Sequence, residues 1–391
     1  MGEVNVSFQF KSSKTPLLPG TRASVSKSQI LTSSGIVSLD HILGGGYPVG
    51  NIILIEEDEF GFYSKLFIKY FLSEGLVSRH SAYVCSLDTN TRRLVEELPS
   101  PVTDYGYESG GRSGTDDVLR IAWRYKSASP HSPATAESTA FGHHFDLACP
   151  LSAEVISSST IGHYDQYGCY ADPSSPAVDH YSRVLDQLSA RTRSAEHTAD
   201  SSGMQSVRRT VLRAVVHQLG SPLWTSADTK SAHAQQITRF LYRLRHLVHD
   251  SLTTCLVTVS PSLFKVSHSF FYILFFLLFL LFFSVPGLLH RCEHLSDCVI
   301  SLESLARNCN PCFSDFNGLL HVTKFSTTNS LVPHVPEEVD WAFKLRKRRF
   351  AIVKLHLPPE LAETEARGEQ DDYAAPGCGS ASGGRRSDLD F

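Results

Sequence analysis

A short loop after a β-branched apolar run stands where many α/β proteins bind phosphate. A phosphate-binding loop of the form GxxxxGK(S/T) uses glycines to bring backbone N–H groups to the phosphates, a lysine for charge and a hydroxyl for magnesium. The residues at or beside these positions are Glu57, Gly61, Phe62, Tyr63, Ser64 and Lys65. Only Ser64 fits, because Glu57 and Phe62 stand at the glycine positions and Tyr63 stands at the lysine position. This composition disfavours ATP binding in the usual pose.

Two further features weaken a nucleotide site. The acidic run Glu56–Glu59 would place like charges beside a polyphosphate, at a cost of roughly 1–4 kcal/mol per pair at about 4 Å. Magnesium also needs a carboxylate after a second strand, but the run Val211–Val216 continues into His217–Gly220 without one. We therefore predict no bound cofactor and no ATP hydrolysis by this chain alone. The alternative is an ATPase in which Ser64 and Lys65 act in an altered loop, with an arginine from a neighbouring subunit.

The elements around the loop alternate as in an α/β protein. A short helix, Ser38–Leu43, ends at the glycines Gly44–Gly46. Ile52–Ile55 predicts a buried strand, Tyr63–Glu74 a helix and Ala82–Leu87 a second strand. The unit is therefore βαβ, with parallel strands and a right-handed crossover. This layout is typical of a RecA-like, P-loop-NTPase-type fold, here with a degenerate nucleotide site.

Further periodic runs extend the sheet. The other predicted strands are Val118–Tyr125, Val211–Val216, Leu256–Val259, Asp297–Leu302, Leu319–Phe325 and Phe350–Leu355. Residues 237–248 place apolar side chains on one face of a helix, with Arg239, Arg243 and His246 off that face. The spacing of the last three strands predicts an antiparallel end to the sheet. The predicted fold class is α/β, with a mainly parallel central sheet and helices on both faces.

Composition along the chain predicts its organisation. Residues 1–28 and 359–391 are polar, which predicts flexible tails on either side of a domain at 29–358. Residues 127–207 are rich in Ser, Ala, Pro and His, and they predict long surface loops with a short helix near Tyr181–Leu188.

An anomalous apolar insertion, residues 266–287, interrupts this domain. Its centre, Phe270–Phe283, reads FFYILFFLLFLLFF. A membrane helix is one interpretation, but the run is shorter than the ~20 residues that cross a bilayer. A buried helix is the second, and it would need a large core on every side. We favour the third, a translated intron or a lineage-specific insertion.

Composition of the whole chain excludes several classes of protein. Its 391 residues are 42% hydrophobic and 19% charged, which excludes disorder throughout. The 36 Lys and Arg against 40 Asp and Glu give a formal net charge of −4, so nucleic-acid binding through bulk charge is excluded and any basic surface must be local. Nine Cys without a secretory or import signal predict reduced thiols in the cytosol or nucleus.

Two segments are candidates for binding macromolecules. The densest basic run contributes Lys344, Arg346, Lys347, Arg348 and Arg349. These cations predict contacts with RNA phosphates, and the alternative is a solvated sheet edge. Leu223 and Trp224 follow a predicted strand, so they should lie at the rim where α/β proteins bind ligands. They are candidates for a subunit interface, with core packing as the alternative.

No motif predicts a metal or a catalytic site. The nearest zinc-like set is Cys292, His294, Cys298, Cys309 and Cys312. Its spacing is irregular and it lacks a second CxxC pair, so we predict no zinc. His143, His144 and Asp146 lie in a loop without a partner motif, so no acid–base role is predicted for them.

Ordered motifs along the chain carry a resemblance to a known family. They are residues 20–58, IAWRY (121–125), FGHHFD (141–146), LGSPLW (219–224), LSDCVISLES (295–304), LHLPPEL (355–361) and LDF (389–391). With these motifs the chain resembles the fourth subunit of the Elongator complex over most of residues 20–126, 208–265 and 293–391. The insertion at 266–287 has no counterpart in the family pattern, and residues 127–207 match it only in patches.

The resemblance implies a RecA-like accessory subunit without a working phosphate loop. It implies a hetero-hexameric ring with the fifth and sixth Elongator subunits, which binds tRNA and joins the catalytic Elongator subcomplex. That subcomplex contains a radical-SAM and acetyltransferase-like subunit and modifies the wobble uridine. Rings of some family members hydrolyse ATP, which the altered loop makes doubtful here. The resemblance further implies a cytoplasmic and nuclear protein without a membrane partner.

Overall fold

The fold is seen in a computed structural model. It describes residues 18–24, 29–102, 141–166, 179–198, 209–224, 230–260, 287–307, 313–328, 334, 336 and 340–355. The first strands are β1 (Thr21–Ala23), β2 (Ile30–Thr32), β3 (Tyr47–Pro48), β4 (Ile52–Glu56), β5 (Ser81–Ser86), β6 (Pro99–Pro101) and β7 (Phe145–Pro150). The later strands are β8 (Ile161–Tyr164), β9 (Leu212–His217), β10 (Thr253–Val259), β11 (Cys298–Ser304), β12 (Gly318–Lys324), β13 (Trp341–Arg346) and β14 (Arg349–Lys354).

Helices separate most of these strands. They are α1 (Val37–Ile42), α2 (Phe62–Val77), α3 (Thr91–Glu96), α4 (Ala153–Ser158), α5 (His180–Thr192), α6 (Lys230–His249) and α7 (Leu288–Leu295). In α6 the buried side chains recur at helical spacing, while Arg239, Arg243 and His246 are exposed. The predicted amphipathic helix is therefore confirmed.

One nine-stranded mixed sheet organises the fold, in the order β14-β13-β12-β11-β4-β10-β9-β5-β8. From β11 to β8 all neighbours are parallel, and from β11 to β14 they are antiparallel. The predicted parallel sheet with an antiparallel end is confirmed. Strands β4 and β5 are parallel as predicted, but β10 and β9 lie between them. The loops after the parallel strands consequently meet at one edge, which we call the carboxyl edge.

The central strand β4 is buried on both faces of the sheet. Its side chains alternate, with Ile53 and Ile55 in the core beneath α1 and α2, and Ile52 and Leu54 in the core beneath α5, α6 and α7. A continuous apolar run in the sequence is what such a doubly covered strand requires. Helices on both faces of the sheet are thus confirmed.

The sequence-based organisation is corrected in two places. Within the predicted tail 1–28, Thr21–Ala23 forms β1, which pairs with β2. Within 127–207, β8 extends the main sheet and α5 packs on α6, so the described part of this segment is more than surface loop. Strand β8 has only four residues, too few for a clear alternation.

Several predictions fall outside the described residues. They are the strand Val118–Tyr125, the run Phe270–Phe283, most of the first tail and the tail 359–391. Among the helices that the structure describes, none combines the length and the apolar character needed to span a bilayer.

Candidate functional site at the carboxyl edge

The loop between β4 and α2 holds its own anion. The Asp58 carboxylate accepts hydrogen bonds from the backbone N–H groups of Phe62, Tyr63 and Ser64, at 3.2, 2.9 and 3.3 Å. These N–H groups begin α2 and have no partner within the helix. Gly61 allows the tight turn, because its φ of 63° lies in the left-handed region. A side-chain carboxylate therefore occupies the position where a phosphate-binding loop would hold a phosphate.

The two residues that an altered ATPase would use are Ser64 and Lys65. Ser64 is fully buried, and its hydroxyl donates a hydrogen bond to the Gly61 carbonyl oxygen at 3.1 Å. Lys65 is half-buried, and its positive charge acts on the carboxylates of Glu57 and Asp88, which lowers the pKa of each against the larger effect of burial. The Ser64 hydroxyl therefore already has an acceptor within the loop.

A buried polar cluster joins the ends of three strands next to this loop. The Gln218 side-chain amide donates to the Glu57 carboxylate at 3.3 Å, and the Ser86 hydroxyl lies 2.9 Å from the His217 Nδ1. Burial raises the pKa of Glu57 and, with the charge of Lys65, lowers the pKa of His217 to about 3. The facing atoms Glu57 Oε1 and His217 Nε2 are 3.7 Å apart. Burial thus favours the neutral forms of Glu57 and His217.

The carboxyl edge also presents exposed apolar side chains. Phe60 is 59% exposed, Phe62 is 51% exposed and Leu223 is 44% exposed. The Arg307 guanidinium lies 5.4 Å from the Phe60 ring centroid and 2.6 Å from Glu59. Trp224 is only 1% exposed and packs against rings of α5 and α6, so the structure supports the core-packing alternative for this residue. Of the two interface candidates, only Leu223 is accessible.

The basic run forms the tight turn of the hairpin between β13 and β14. Arg346 ends β13, Arg349 begins β14, and these two residues pair across the turn. Arg346, Lys347, Arg348 and Arg349 are exposed, and β14 is an edge strand of the sheet. Lys344 is different, because its amine lies 4.3 Å from the Phe316 ring centroid and 3.9 Å from the Asp315 carboxylate. The turn therefore presents four of the five predicted RNA-binding cations.

The histidine loop at 141–146 lies apart from the carboxyl-edge loop. The backbone N–H of His143 donates to Glu74 at 2.9 Å, and the His143 Nδ1 lies 3.2 Å from the same carboxylate. The hydrogen bond with Glu74 raises the pKa of His143. His143 thus docks this loop onto α2. Within the described ranges no group of His, Cys, Asp and Glu could hold a metal ion, and Cys309 and Cys312 fall outside those ranges.

Sequence reasoning identified the loop but missed what fills it. Asp58 counted only as part of an acidic run unfavourable to phosphate. An aspartate shortly before a helix is a capping signal, so that signal was present in the sequence. The clustering of Glu57, Ser86 and His217 carried no signal, because they are 29 and 131 residues apart along the chain.

Replacing Asp58 with alanine should unmask the helix terminus. We expect the free energy of unfolding to fall by about 1–2 kcal/mol, because the first N–H groups of α2 lose their acceptor. Inorganic phosphate should then raise the melting temperature of the variant but not that of the wild type. The control is Asp58→Asn, which keeps an acceptor oxygen without the charge. Equal phosphate responses in wild type and Asp58→Ala would contradict the role assigned to Asp58.

The fold and this loop together define a class of protein. It is an α/β protein with a nine-stranded mixed sheet, in which the Asp58 carboxylate caps the helix that follows the central strand. The family model described as PAXNEB protein matches residues 14–391. The chain belongs to this family, and the family-level resemblance drawn from its motifs is confirmed.

Curated relatives match over nearly the full length of the chain. The Elongator complex protein 4 of Xenopus laevis is 35% identical over 402 residues, covering 97% of this chain and 93% of the relative. The protein of the same name from Danio rerio is 34% identical, covering 97% and 94%. The one from Homo sapiens is 32% identical, covering 96% and 89%.

Proposed function

We propose that this chain is a non-catalytic subunit of the Elongator complex, with a RecA-like fold and a closed nucleotide site. One observation carries the non-catalytic assignment, namely the Asp58 carboxylate on the first N–H groups of α2. The relatives' shared name, Elongator complex protein 4, supports membership of that complex. No cofactor is needed, and ATP is disfavoured because its phosphates would meet a fixed carboxylate.

The order of the parallel strands supports a RecA-like fold. The loop that corresponds to a phosphate loop follows β4, in the middle of the sheet, and leads directly into α2. The next parallel strand in the chain, β5, lies three places away, and later strands fill the gap between them. Ligands of doubly wound α/β proteins bind where strand order reverses in this way, at the carboxyl ends of the strands.

The ATPase alternative uses Ser64 and Lys65 in an altered loop. Against it, the Ser64 hydroxyl already donates to Gly61, and the charge of Lys65 already acts on the carboxylates of Glu57 and Asp88. The loop would have to release Asp58 before it could accept a phosphate. These contacts favour an accessory role over catalysis.

In this proposal the chain forms a hetero-hexameric ring with the fifth and sixth Elongator subunits. The exposed Phe60, Phe62 and Leu223 at the carboxyl edge support an interface there, because contiguous exposed apolar side chains mark protein contacts. The ring binds tRNA and supports carboxymethyl-type modification of the wobble uridine by the catalytic subcomplex. Its location is cytoplasmic and nuclear, and it has no membrane partner.

Complementation tests this function directly. A cell that lacks its own fourth Elongator subunit should recover wobble-uridine modification when it expresses this chain, measured by mass spectrometry of tRNA nucleosides. The Asp58→Asn variant should restore modification equally, because the proposed role needs no nucleotide. Failure of the wild-type chain to restore modification, while it co-purifies with the fifth and sixth subunits, would overturn the proposal.

The basic hairpin should contribute to tRNA binding by the assembled ring. Replacing Arg346 and Lys347 with glutamine should weaken tRNA binding roughly tenfold and reduce the slope of log Kd against log salt by about 2. The control pair is Arg183→Gln with Arg291→Gln, which removes equal charge at exposed positions on α5 and α7. Filter binding across a salt series measures both quantities. An unchanged slope would leave the hairpin as a solvated sheet edge.

A further inference from the structure

A groove runs along the outer surface of α5 and α6, far from the loop after β4 in the sequence. We define the α5–α6 groove by Leu185, Arg193, Arg239, Tyr242, Arg243 and Leu247. It consists of two cavities of about 600 and 310 Å³, which share Leu185 and Arg243 in their linings. Along α6 the lining extends from Gln236 to His249, which is ~20 Å at the helical rise per residue.

The lining of the groove carries charges of both signs, with four arginines and the three aspartates Asp179, Asp186 and Asp250. Arg245 on the same helix pairs with Asp297 at 2.9 Å, and His246 lies 3.3 Å from Asp250. In the part of the chain that the structure describes, no carboxylate pairs with Arg193, Arg239 or Arg243. These three residues are exposed and line the two adjoining cavities, with Arg243 in both linings.

The floor of the groove is apolar, and an aromatic side chain stands at its edge. Leu185 is buried beneath the groove, and Leu247 packs against the same core. Tyr242 is 68% exposed, the largest exposure among the described large apolar side chains. An apolar floor with an aromatic and arginine rim is the composition of a protein-binding site, in which apolar anchors are buried and charges surround them.

We propose that the α5–α6 groove binds an acidic amphipathic helix of a partner protein. The helix would place apolar side chains over Leu185 and Leu247, and Asp or Glu against Arg193, Arg239 and Arg243. The length of the groove corresponds to about 13 residues of such a helix. Arginine suits this role, because its planar guanidinium binds a carboxylate through two parallel hydrogen bonds. Binding here depends neither on nucleotide nor on the ring interface.

A peptide fits the groove better than RNA does. Asp186 and Asp250 line the larger cavity among the cations. A nucleic acid carries a phosphate at every nucleotide and would meet these two carboxylates. A peptide can leave both positions uncharged while it places acidic side chains opposite the arginines. The leucine floor also makes no favourable contact with phosphates, whereas it removes the apolar side chains of a bound peptide from water.

Fluorescence anisotropy with designed probes tests the proposal on the full-length chain. The probe is a fluorescein-labelled helical peptide with Leu at i, i+3, i+4 and i+7 and Glu on both flanks. The control probes are the same peptide with Lys in place of Glu, and an oligouridylate of equal negative charge. We expect the Glu peptide to bind most tightly, with an affinity that falls as salt rises.

Charge reversal in the groove supplies the decisive comparison. Arg239→Glu with Arg243→Glu should weaken Glu-peptide binding at least about tenfold, because opposed like charges replace attraction. The matched control is Arg183→Glu with Arg291→Glu, which lies outside the groove lining and should leave binding unchanged. Unchanged melting temperatures would verify folding of both variants. The proposal is overturned if the Glu peptide does not bind, if either control probe binds as tightly, or if both double variants behave alike.

Discussion

Replacing Arg213 with methionine is expected to lower the free energy of unfolding by about 3–5 kcal/mol. Arg213 lies in β9 and is fully buried. Its Nε donates to the His80 Nδ1 at 3.0 Å, and its Nη1 donates to the carbonyl oxygens of Ser33 and Phe71 at 2.9 and 2.8 Å. Burial lowers the pKa of Arg213 to about 10, so the guanidinium remains charged at neutral pH. Methionine fills similar space but leaves these acceptors without a donor.

The charge of Arg213 also balances a buried carboxylate. Glu74 is fully buried. Burial alone would raise the pKa of Glu74, but the hydrogen bonds from His143 and the charge of Arg213 outweigh it and lower that pKa. Removing the guanidinium would leave Glu74 with His143 as its remaining basic neighbour among the groups that act on it. An uncompensated buried charge is the reason that the expected effect exceeds that of an ordinary core substitution.

Urea denaturation followed by tryptophan fluorescence measures this effect, with Trp224 as a reporter in the core. The matched control is Arg183→Met at an exposed position of α5, which should change the free energy of unfolding by less than about 0.5 kcal/mol. In the double variant Arg213→Met with Glu74→Gln, part of the loss should be recovered, because the lone charge is gone. A loss of less than about 1 kcal/mol in the free energy of unfolding of Arg213→Met would mean that the hydrogen bonds and charge of Arg213 contribute little to stability.

Arg213 also illustrates what the sequence alone could not predict. The run containing it predicts a strand, and that strand forms. The alternation of side chains gives no hint of a buried arginine, because its partners Ser33 and His80 lie 180 and 133 residues away in the chain. Burial of a charge depends on tertiary partners rather than on local pattern.

The elements that were predicted well are those with long or continuous apolar patterns. β4, α2 and α6 have a continuous run or a helical stripe of apolar residues, so their type follows from local sequence. β13 was missed because its cations were interpreted as a basic run, although Lys344 and Arg346 alternate with apolar residues as in a half-buried strand, and they lie on an edge hairpin where charge is tolerated. Trp224 could not be assigned, because its burial depends on Tyr181 and Phe240 from two other helices.

The candidate site likewise has one feature that the sequence predicts and one that only the structure shows. That the phosphate loop is altered follows from Glu57, Phe62 and Tyr63, which occupy fixed positions of a known motif. Only the structure shows that Asp58 closes this loop, because the closure depends on the path of the chain from Asp58 to the start of α2. The absence of the two motif glycines and the presence of the capping Asp58 carboxylate act in the same direction. A side chain fills the space that phosphates would occupy, and the helix terminus keeps an anion without a ligand.

Closing the loop also changes which side chains face outward at the carboxyl edge. Asp58 turns inward to cap α2, and the neighbouring Phe60 and Phe62 are left exposed. Two exposed phenylalanines, one in this loop and one at the start of α2, are costly in water unless another surface covers them. A ring interface at this edge would bury them, and buried aromatic anchors of this kind carry much of the binding energy of protein interfaces.

Replacing both Phe60 and Phe62 with aspartate should therefore abolish assembly of the proposed ring with the fifth and sixth Elongator subunits. We expect affinity to fall by at least about 100-fold, because the loss of central aromatic anchors exceeds 2 kcal/mol each in typical interfaces. The fold should survive, because both side chains are more than half exposed. Native mass spectrometry of the co-expressed subunits measures assembly. Tyr242→Asp is the control, because it introduces a negative charge, one against the two of the double variant, at an exposed aromatic residue on α6, and it should assemble normally. An intact hexamer with the double variant would remove the carboxyl edge from the interface, while loss of assembly with both variants would indicate charge rather than these anchors.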